Sequence, residues 1–356
     1  MKQYRKGLVL AACVLSAILL GSLQRYLVNG IPSQQLAKRW SDDEAFAQVA
    51  CYFEKDAALM PEQIAGIERS LITALEEAAL PAETENGGRN WVDAYSSEGE
   101  LAVTSNRTTA QVRAFGVGGD FFRFHPFTLL SGTYFDSTDE NKDGVILDEL
   151  VAWQLFGSSN VAGMEVEING TIYPVRGVVR GEPGLFKEAV EAEKATVYVS
   201  YEILKAAYGD SYPIDSYELL IANPVKEFGI NALKNALTVS EENYAMIEVS
   251  ARFDFLHRLE AIKHFGVRSM NSKNIVYPYW ENRAKGYEDI SAVLLVLELL
   301  LMCYPVIWVL NRLRILYKNR KTLKQKLLEK LKNFWQKAYP LLKNTIKTYK
   351  LVNRKK

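Results

Sequence analysis

Two uninterrupted apolar runs on either side of a long polar stretch restrict this chain more than any other feature. The first, GLVLAACVLSAILLGSL, covers Gly7 to Leu23, and the second, ISAVLLVLELLLMCYPVIWVL, covers Ile290 to Leu310. At a rise of about 1.5 Å per residue, the second run is long enough to cross a hydrocarbon layer roughly 30 Å thick. The first falls slightly short, but Tyr26, Leu27 and Val28 can extend it while Arg25 reaches back to the headgroups. Glu298 interrupts the second run. Its insertion costs on the order of 3 kcal/mol, whereas each of about thirteen Leu, Ile and Val residues returns roughly 0.3 to 0.6 kcal/mol, so insertion is favoured.

The formal charge of the whole chain is only +1, which conceals a strong partition. Lys2, Arg5 and Lys6 precede the first run, and residues 311 to 356 hold about 16 basic side chains against the single acid Glu329. Residues 29 to 289 hold about 23 basic and 40 acidic side chains. Basic flanks stay on the cytoplasmic side, which predicts both termini inside and the acidic middle outside. The expected organisation is an N-terminal membrane helix over 1–28, an extracytoplasmic α/β domain over 29–289, a second membrane helix over 290–310 and a basic amphipathic cytoplasmic tail over 311–356.

Two other readings of the first run are open: a cleaved signal peptide, and a lipoprotein cleavage box at Leu10-Ala11-Ala12-Cys13. Apolar sequence continues after Cys13 where a polar tether is expected, which argues against lipidation. Cys13 and Cys303 lie in the apolar runs, leaving Cys51 alone between them. With no disulfide framework available, the outer domain must be stable through its core.

Hydrophobic periodicity predicts helices over 33–48, 61–79, 201–208, 226–237 and 252–265. It predicts strands over 91–95, 100–104, 110–117, 163–168, 171–179, 196–200, 217–222 and 245–249, with 83–89 a loop. Asn169-Gly170 is the clearest local signal, because a two-residue hairpin turn requires positive φ at both positions.

The stretch Ala114 to Val179 carries GDFF at 119–122, Leu130-Ser131-Gly132 with Phe135, VILDELVAWQLFG at 145–157, Gly163, Ile168-Asn169-Gly170 and YPVRGVV at 173–179. In order and spacing it resembles the periplasmic core domain of MacB-like ABC transporter permeases, the superfamily of lipoprotein-release permeases and FtsX. The resemblance implies an α+β fold of mixed sheets with packed helices, in one or two lobes, between membrane helices. It implies structural roles for Gly119, Gly132, Phe156, Gly157, Gly163, Asn169, Gly170 and Gly177. Such permeases are expected to have three membrane helices after the outer domain, and this chain has one. It therefore looks like a reduced or accessory relative, with an ABC ATPase subunit in trans and a four-helix permease or a second copy of itself as partners.

No pattern for bond-making chemistry emerges. The chain has no G-x-x-x-x-G-K-[ST], G-x-S-x-G, H-E-x-x-H or C-x-x-C motif, so an enzyme is not expected, nor is a cofactor or metal. Asp139-x-Asn141-x-Asp143-Gly144 imitates the start of a calcium loop, but Leu150 falls where the twelfth-position Glu is needed, and an acidic surface loop is favoured. His257, Glu260 and His264 share one helix face and read as a solvated surface. Asn106-Arg107-Thr108 and Asn169-Gly170-Thr171 match the glycosylation sequon by coincidence in a bacterial reading.

Glu298 is the candidate contact with a partner helix, since an intramembrane carboxylate faces another helix or a wet cavity. In the tail, Lys321, Lys324, Lys326, Lys330, Lys332 and Trp335 form a basic amphipathic segment suited to an anionic lipid surface, and no nucleic-acid module is present. The function expected is that of a non-enzymatic subunit of an export or mechanotransmission complex in the bacterial cytoplasmic membrane. The alternative is a stand-alone anchored protein that binds or senses outside the cell.

Overall fold

The computed structural model describes residues 2–41, 45–57, 59–83, 88–106, 108–141, 143–181, 185, 195–266, 274–320, 328–334 and 336. The chain divides into two compact units, Gly21–Val296 and a second made of Met1–Leu20 with Leu297–Lys356.

The larger unit is built on one mixed sheet in the spatial order β10-β1-β9-β2-β3-β8-β5-β7-β4. Its strands are β1 (Phe46–Phe53), β2 (Trp91–Thr104), β3 (Thr109–Gly119), β4 (Thr128–Gly132) and β5 (Val145–Asp148). They continue with β6 (Glu165–Ile168), β7 (Thr171–Arg180), β8 (Thr196–Ser200), β9 (Ser216–Ala222) and β10 (Tyr244–Glu248). Strand β6 stands off this path and pairs with both β2 and β7. That extra pairing closes a ring, β2-β3-β8-β5-β7-β6 and back to β2, so half of the sheet curls around its own contents while β10-β1-β9 remains open.

The two halves have separate cores. Inside the ring lie Val103, Val112, Val145, Leu147, Val166, Val175 and Val197, joined by Val151 and Leu155 of helix α5 (Glu149–Phe156). The open half is covered by α3 (Pro61–Glu77) and α7 (Phe228–Ala236). The α3 residues Ile64, Ile67, Leu71 and Leu75 recur at three- or four-residue spacing and are all buried, as an amphipathic helix on a sheet requires. The remaining short helices are α2 (Leu36–Trp40), α4 (Phe121–Phe124), α6 (Tyr201–Tyr208) and α8 (Phe255–Lys263).

Two expectations from the sequence are corrected. Residues 46–48 do not continue a helix but open β1, whose eight residues are buried without exception. A strand covered on both faces loses the alternation that marks one. The strands expected at 91–95 and 100–104 form one strand of 14 residues. Its polar middle is satisfied by Ser96 Oγ against Ser216 Oγ at 2.7 Å, Ser97 Oγ donating to Pro213 O at 2.6 Å, and Glu98 N donating to Asp215 Oδ2 at 2.7 Å. The expected hairpin is present as Ile168 paired with Thr171, with Asn169 at φ 50° and Gly170 at φ 80°.

Among the described residues, two helices are long and apolar enough to cross a membrane, α1 (Lys2–Asn29) and α9 (Tyr279–Lys318). Helix α9 begins eleven residues before the apolar run does, so its first three turns belong to the outer domain. Pro305 lies inside it.

Candidate functional site at the roots of the two long helices

Tyr279–Lys318 starts just after the buried Pro278, whose carbonyl accepts from the amides of Glu281 and Asn282, both at 3.1 Å. Its opening sequence, YWENRAKGYED, is charged, yet Tyr279, Trp280, Glu281, Arg283, Ala284, Lys285 and Tyr287 are all buried. Trp280 packs into an aromatic nest, with ring centroids 5.0 Å from Phe115, 5.7 Å from Phe121 and 4.6 Å from His125. Tyr279 and Tyr198 share a hydroxyl hydrogen bond of 2.7 Å. Beside the nest, His125 Nε2 lies 2.5 Å from Glu218 Oε2, both side chains buried.

Arg252 holds the position where these elements converge. Its side chain is only 1% exposed. Nη2 donates to both oxygens of Glu281 at 2.7 Å, Nε lies 2.8 Å from Glu288 Oε1, and Nη1 donates to Gln34 Oε1 at 2.8 Å. Glu281 also accepts from the hydroxyl of Tyr52, on β1, at 3.0 Å. Burial works against the Arg252 charge, but Glu281 and Glu288 more than offset it and hold the guanidinium firmly protonated. The Tyr52 hydroxyl is pushed well above its ordinary value by burial and by the negative charge of Glu281 and Glu218.

Gln34 belongs to the single turn Pro32–Gln34 that follows the end of α1. The same corner is tied to β1 through Gln48, whose Nε2 donates to Ser33 O at 2.8 Å and whose Oε1 accepts from Leu36 N at 3.2 Å. One buried cation thus joins the root of the first long helix, the sheet and the root of the second. Charge-assisted, bidentate bonds in a dry setting are strongly directional, so they fix the angle at which Tyr279 to Leu295 leave the sheet.

Sequence reasoning missed Arg252, Glu281, Glu288, Tyr52 and Gln34. A signal existed: Glu281, Ala284, Tyr287, Glu288, Ser291 and Leu295 recur at three- and four-residue spacing through the start of the apolar run, marking an amphipathic approach to the membrane and not a linker.

The residues that the sequence did single out are scattered. Gly119, Gly132, Gly157, Gly163 and Gly170 have positive φ, and Gly157 ends α5 in the left-handed conformation. At Gly132 a Cβ would stand 2.0 Å from Arg176 O, so no other residue fits where β4 meets β7. A Cβ on Gly177 would stand 2.9 Å from Thr133 O, and Phe156 packs half-buried on the ring core. Glu298 is half-buried on α9. Lys330 and Lys332 are exposed on a helical segment, 328–334, while Lys321, Lys324, Lys326 and Trp335 lie outside the residues whose side chains are described.

Asp139, in the acidic loop, is engaged by Arg176 at 3.0 Å. His257, Glu260 and His264 are exposed, with His264 Nε2 3.5 Å from Glu260. Among the described residues there is no group of three or more side chains placed to hold a metal ion.

A mixed α+β domain flanked by two long apolar helices and rooted by buried ion pairs is a membrane-anchored scaffold. The family model for the MacB-like periplasmic core domain matches residues 8–235, and the chain belongs to that family. This makes it a component of an ABC-type transporter permease, embedded in a membrane.

Among solved structures it is similar to the periplasmic region of MacB from Actinobacillus actinomycetemcomitans, at 13% identity and TM-score 0.45, covering 69% of this chain and 97% of that one. It is also similar to the extracellular domain of the noncanonic ABC-type transporter YknZ from Gram-positive bacteria, at 14% identity and TM-score 0.39, covering 56% and 99%. A third is a domain of a permease protein from Porphyromonas gingivalis, at 12% identity and TM-score 0.34, covering 57% and 89%. No curated protein matches by sequence. The Arg252 constellation, apart from Gln34 and Tyr52, lies beyond the matched residues.

Proposed function

We propose that this chain is a reduced permease subunit that passes motion between its two membrane helices and its outer domain, with ATP hydrolysis supplied by an ABC ATPase in trans. The observation that carries the reading is Arg252, which binds Gln34 at one helix root and Glu281 and Glu288 at the other. A joint with one buried geometry transmits tilt, whereas a flexible linker would absorb it. The glycines of the ring half set a rigid scaffold for the domain so driven.

In this reading both termini are cytoplasmic, because the basic flanks stay inside and the acidic domain is exported. The basic tail rests on anionic lipid through its lysines. Glu298, an acid within the apolar run of α9, marks the face that docks a four-helix permease or a second copy of the chain.

Affinity purification of the full chain in mild detergent tests this. The expected result is co-recovery of a Walker-motif ATPase with a longer permease or with a second, differently tagged copy, and a several-fold loss of that membrane partner with Glu298→Leu. Consistent recovery of the chain without an ATPase refutes the complex and favours a stand-alone binding or sensing role. Unchanged co-recovery with Glu298→Leu removes the docking role of Glu298 alone.

A further inference from the structure

Helix α8 carries an exposed apolar face at the rim of a groove that Ile230 and Met246 also line. Phe255 and Leu256 are 54% and 69% exposed. Leu259 and Ile262, half-buried, continue that face at i+4 and i+7 from Phe255, and Phe265, just past the helix end, is 53% exposed. An adjoining face is held in place: Arg258, buried, donates from Nε and Nη2 to the carbonyl of Ser291 at 3.4 and 3.2 Å. Ala261 on the same face is also buried.

Ser291 is the second residue of the apolar run that begins at Ile290, and Val293 and Val296, just beyond it, are exposed on α9. Arg258 therefore fastens α8 to α9 where the hydrocarbon zone begins. Phe255 and Leu256 precede Arg258 by three and two residues, within a single helical turn of about 5.4 Å. Exposed aromatic and aliphatic side chains with a cation beside them, here Lys263, are the composition of an interfacial helix.

We propose that α8 lies in the outer headgroup layer of the membrane, with Phe255 and Leu256 inserted at the acyl boundary, so that the outer domain rests on lipid beside the root of α9. The occupant of this face is lipid, since Arg258 fastens α8 to the second residue of the apolar run and so holds Phe255 and Leu256 at the level where that run begins. The proposal rests on α9 crossing the membrane.

The test uses the full chain with Cys13→Ala and Cys303→Ala, leaving the buried Cys51, and a single added cysteine carrying a small environment-sensitive fluorophore. Leu256→Cys is the probe position, Asp210→Cys, 97% exposed, the water reference, and Leu300→Cys, 64% exposed on α9, the lipid reference. Each protein is reconstituted in phosphatidylethanolamine–phosphatidylglycerol vesicles with or without lipid bearing a nitroxide at acyl carbon 5, and quenching by aqueous iodide is measured in parallel. Expected at Leu256 is nitroxide quenching at least twofold greater than at Asp210, and iodide quenching at least threefold weaker. Iodide quenching equal to that at Asp210 overturns the proposal. Protection from both quenchers overturns it as well, because protein then covers the face. Absence of nitroxide quenching at Leu300 removes the membrane span itself, a failure distinct from one confined to Leu256.

Discussion

The two halves of the outer domain share strands β2 and β3 but are filled with different material. Among the described residues, the fully buried members of the ring core are Leu, Val, Ile and Ala, with Phe156, Tyr173 and Tyr212 half-buried at its edge. The open half buries Tyr52, Phe115, Phe121, Tyr217 and Trp280. It also buries the pairs His125–Glu218 and Arg252–Glu281 and the Asp93 carboxyl, which accepts from the Tyr217 hydroxyl at 2.7 Å. Aliphatic packing tolerates many arrangements of similar energy, while a buried ion pair punishes every geometry but one. The ring is therefore a scaffold, and the polar half, where both long helices are rooted, is where direction is specified.

Substitutions should separate the halves. The largest effect is expected from Arg252→Ala, which strands Glu281 and Glu288 beside a buried void and should cost about 3 to 5 kcal/mol, read as a lowered thermal midpoint in detergent. A loss below about 1 kcal/mol would show that the joint is wet and unspecific, and the contrast between the halves would fail. In the ring, Leu147→Ala should cost about 2 to 4 kcal/mol through transfer and cavity terms, by the same amount at pH 5 and pH 8. A pH-dependent cost there would mean that the two cores are electrostatically coupled.

The smallest effect has the opposite sign. Burial pushes the Asp93 carboxyl from 3.8 up to about 7, with Glu68 and Asp120 adding to the rise against the Tyr217 hydrogen bond. The native state then keeps a proton that the unfolded chain releases above about pH 4. The stability linked to that proton is complete below pH 4 and is lost as pH rises through 7. Asp93→Asn should therefore be neutral near pH 4 and stabilising by roughly 1 to 2 kcal/mol at pH 8, measured as the difference in unfolding midpoints between the two pH values. A variant destabilised equally at both would assign Asp93 a packing role only.

In the ring half the Asn169-Gly170 turn, the glycine positions, β6 and β7 were legible from local signals, whereas β4 and β5 were not among the expected strands. In the open half periodicity gave α3, α7, β9 and β10, but the joint at Arg252 was not legible, because its contacts join residues far apart in the chain. Arg252 meets Gln34 across 218 positions, and Tyr52 meets Glu281 across 229. Strand β1 was hidden by being buried on both faces, and the charged start of α9 resembled a solvated linker because nothing local reveals that its charges are paired.

The placement of β1 also governs how this domain can be made. It sits between β9 and β10, with Phe46 beside Ala222 and Val49 beside Glu248, so both of its hydrogen-bonding edges wait for chain synthesised some 170 to 200 residues later. During translation an apolar strand must stay unpaired while the ring forms beyond it, a pairing of high sequence separation that folds slowly and is prone to aggregate. The outer domain can therefore close around β1 only after its last strand, β10, has been made.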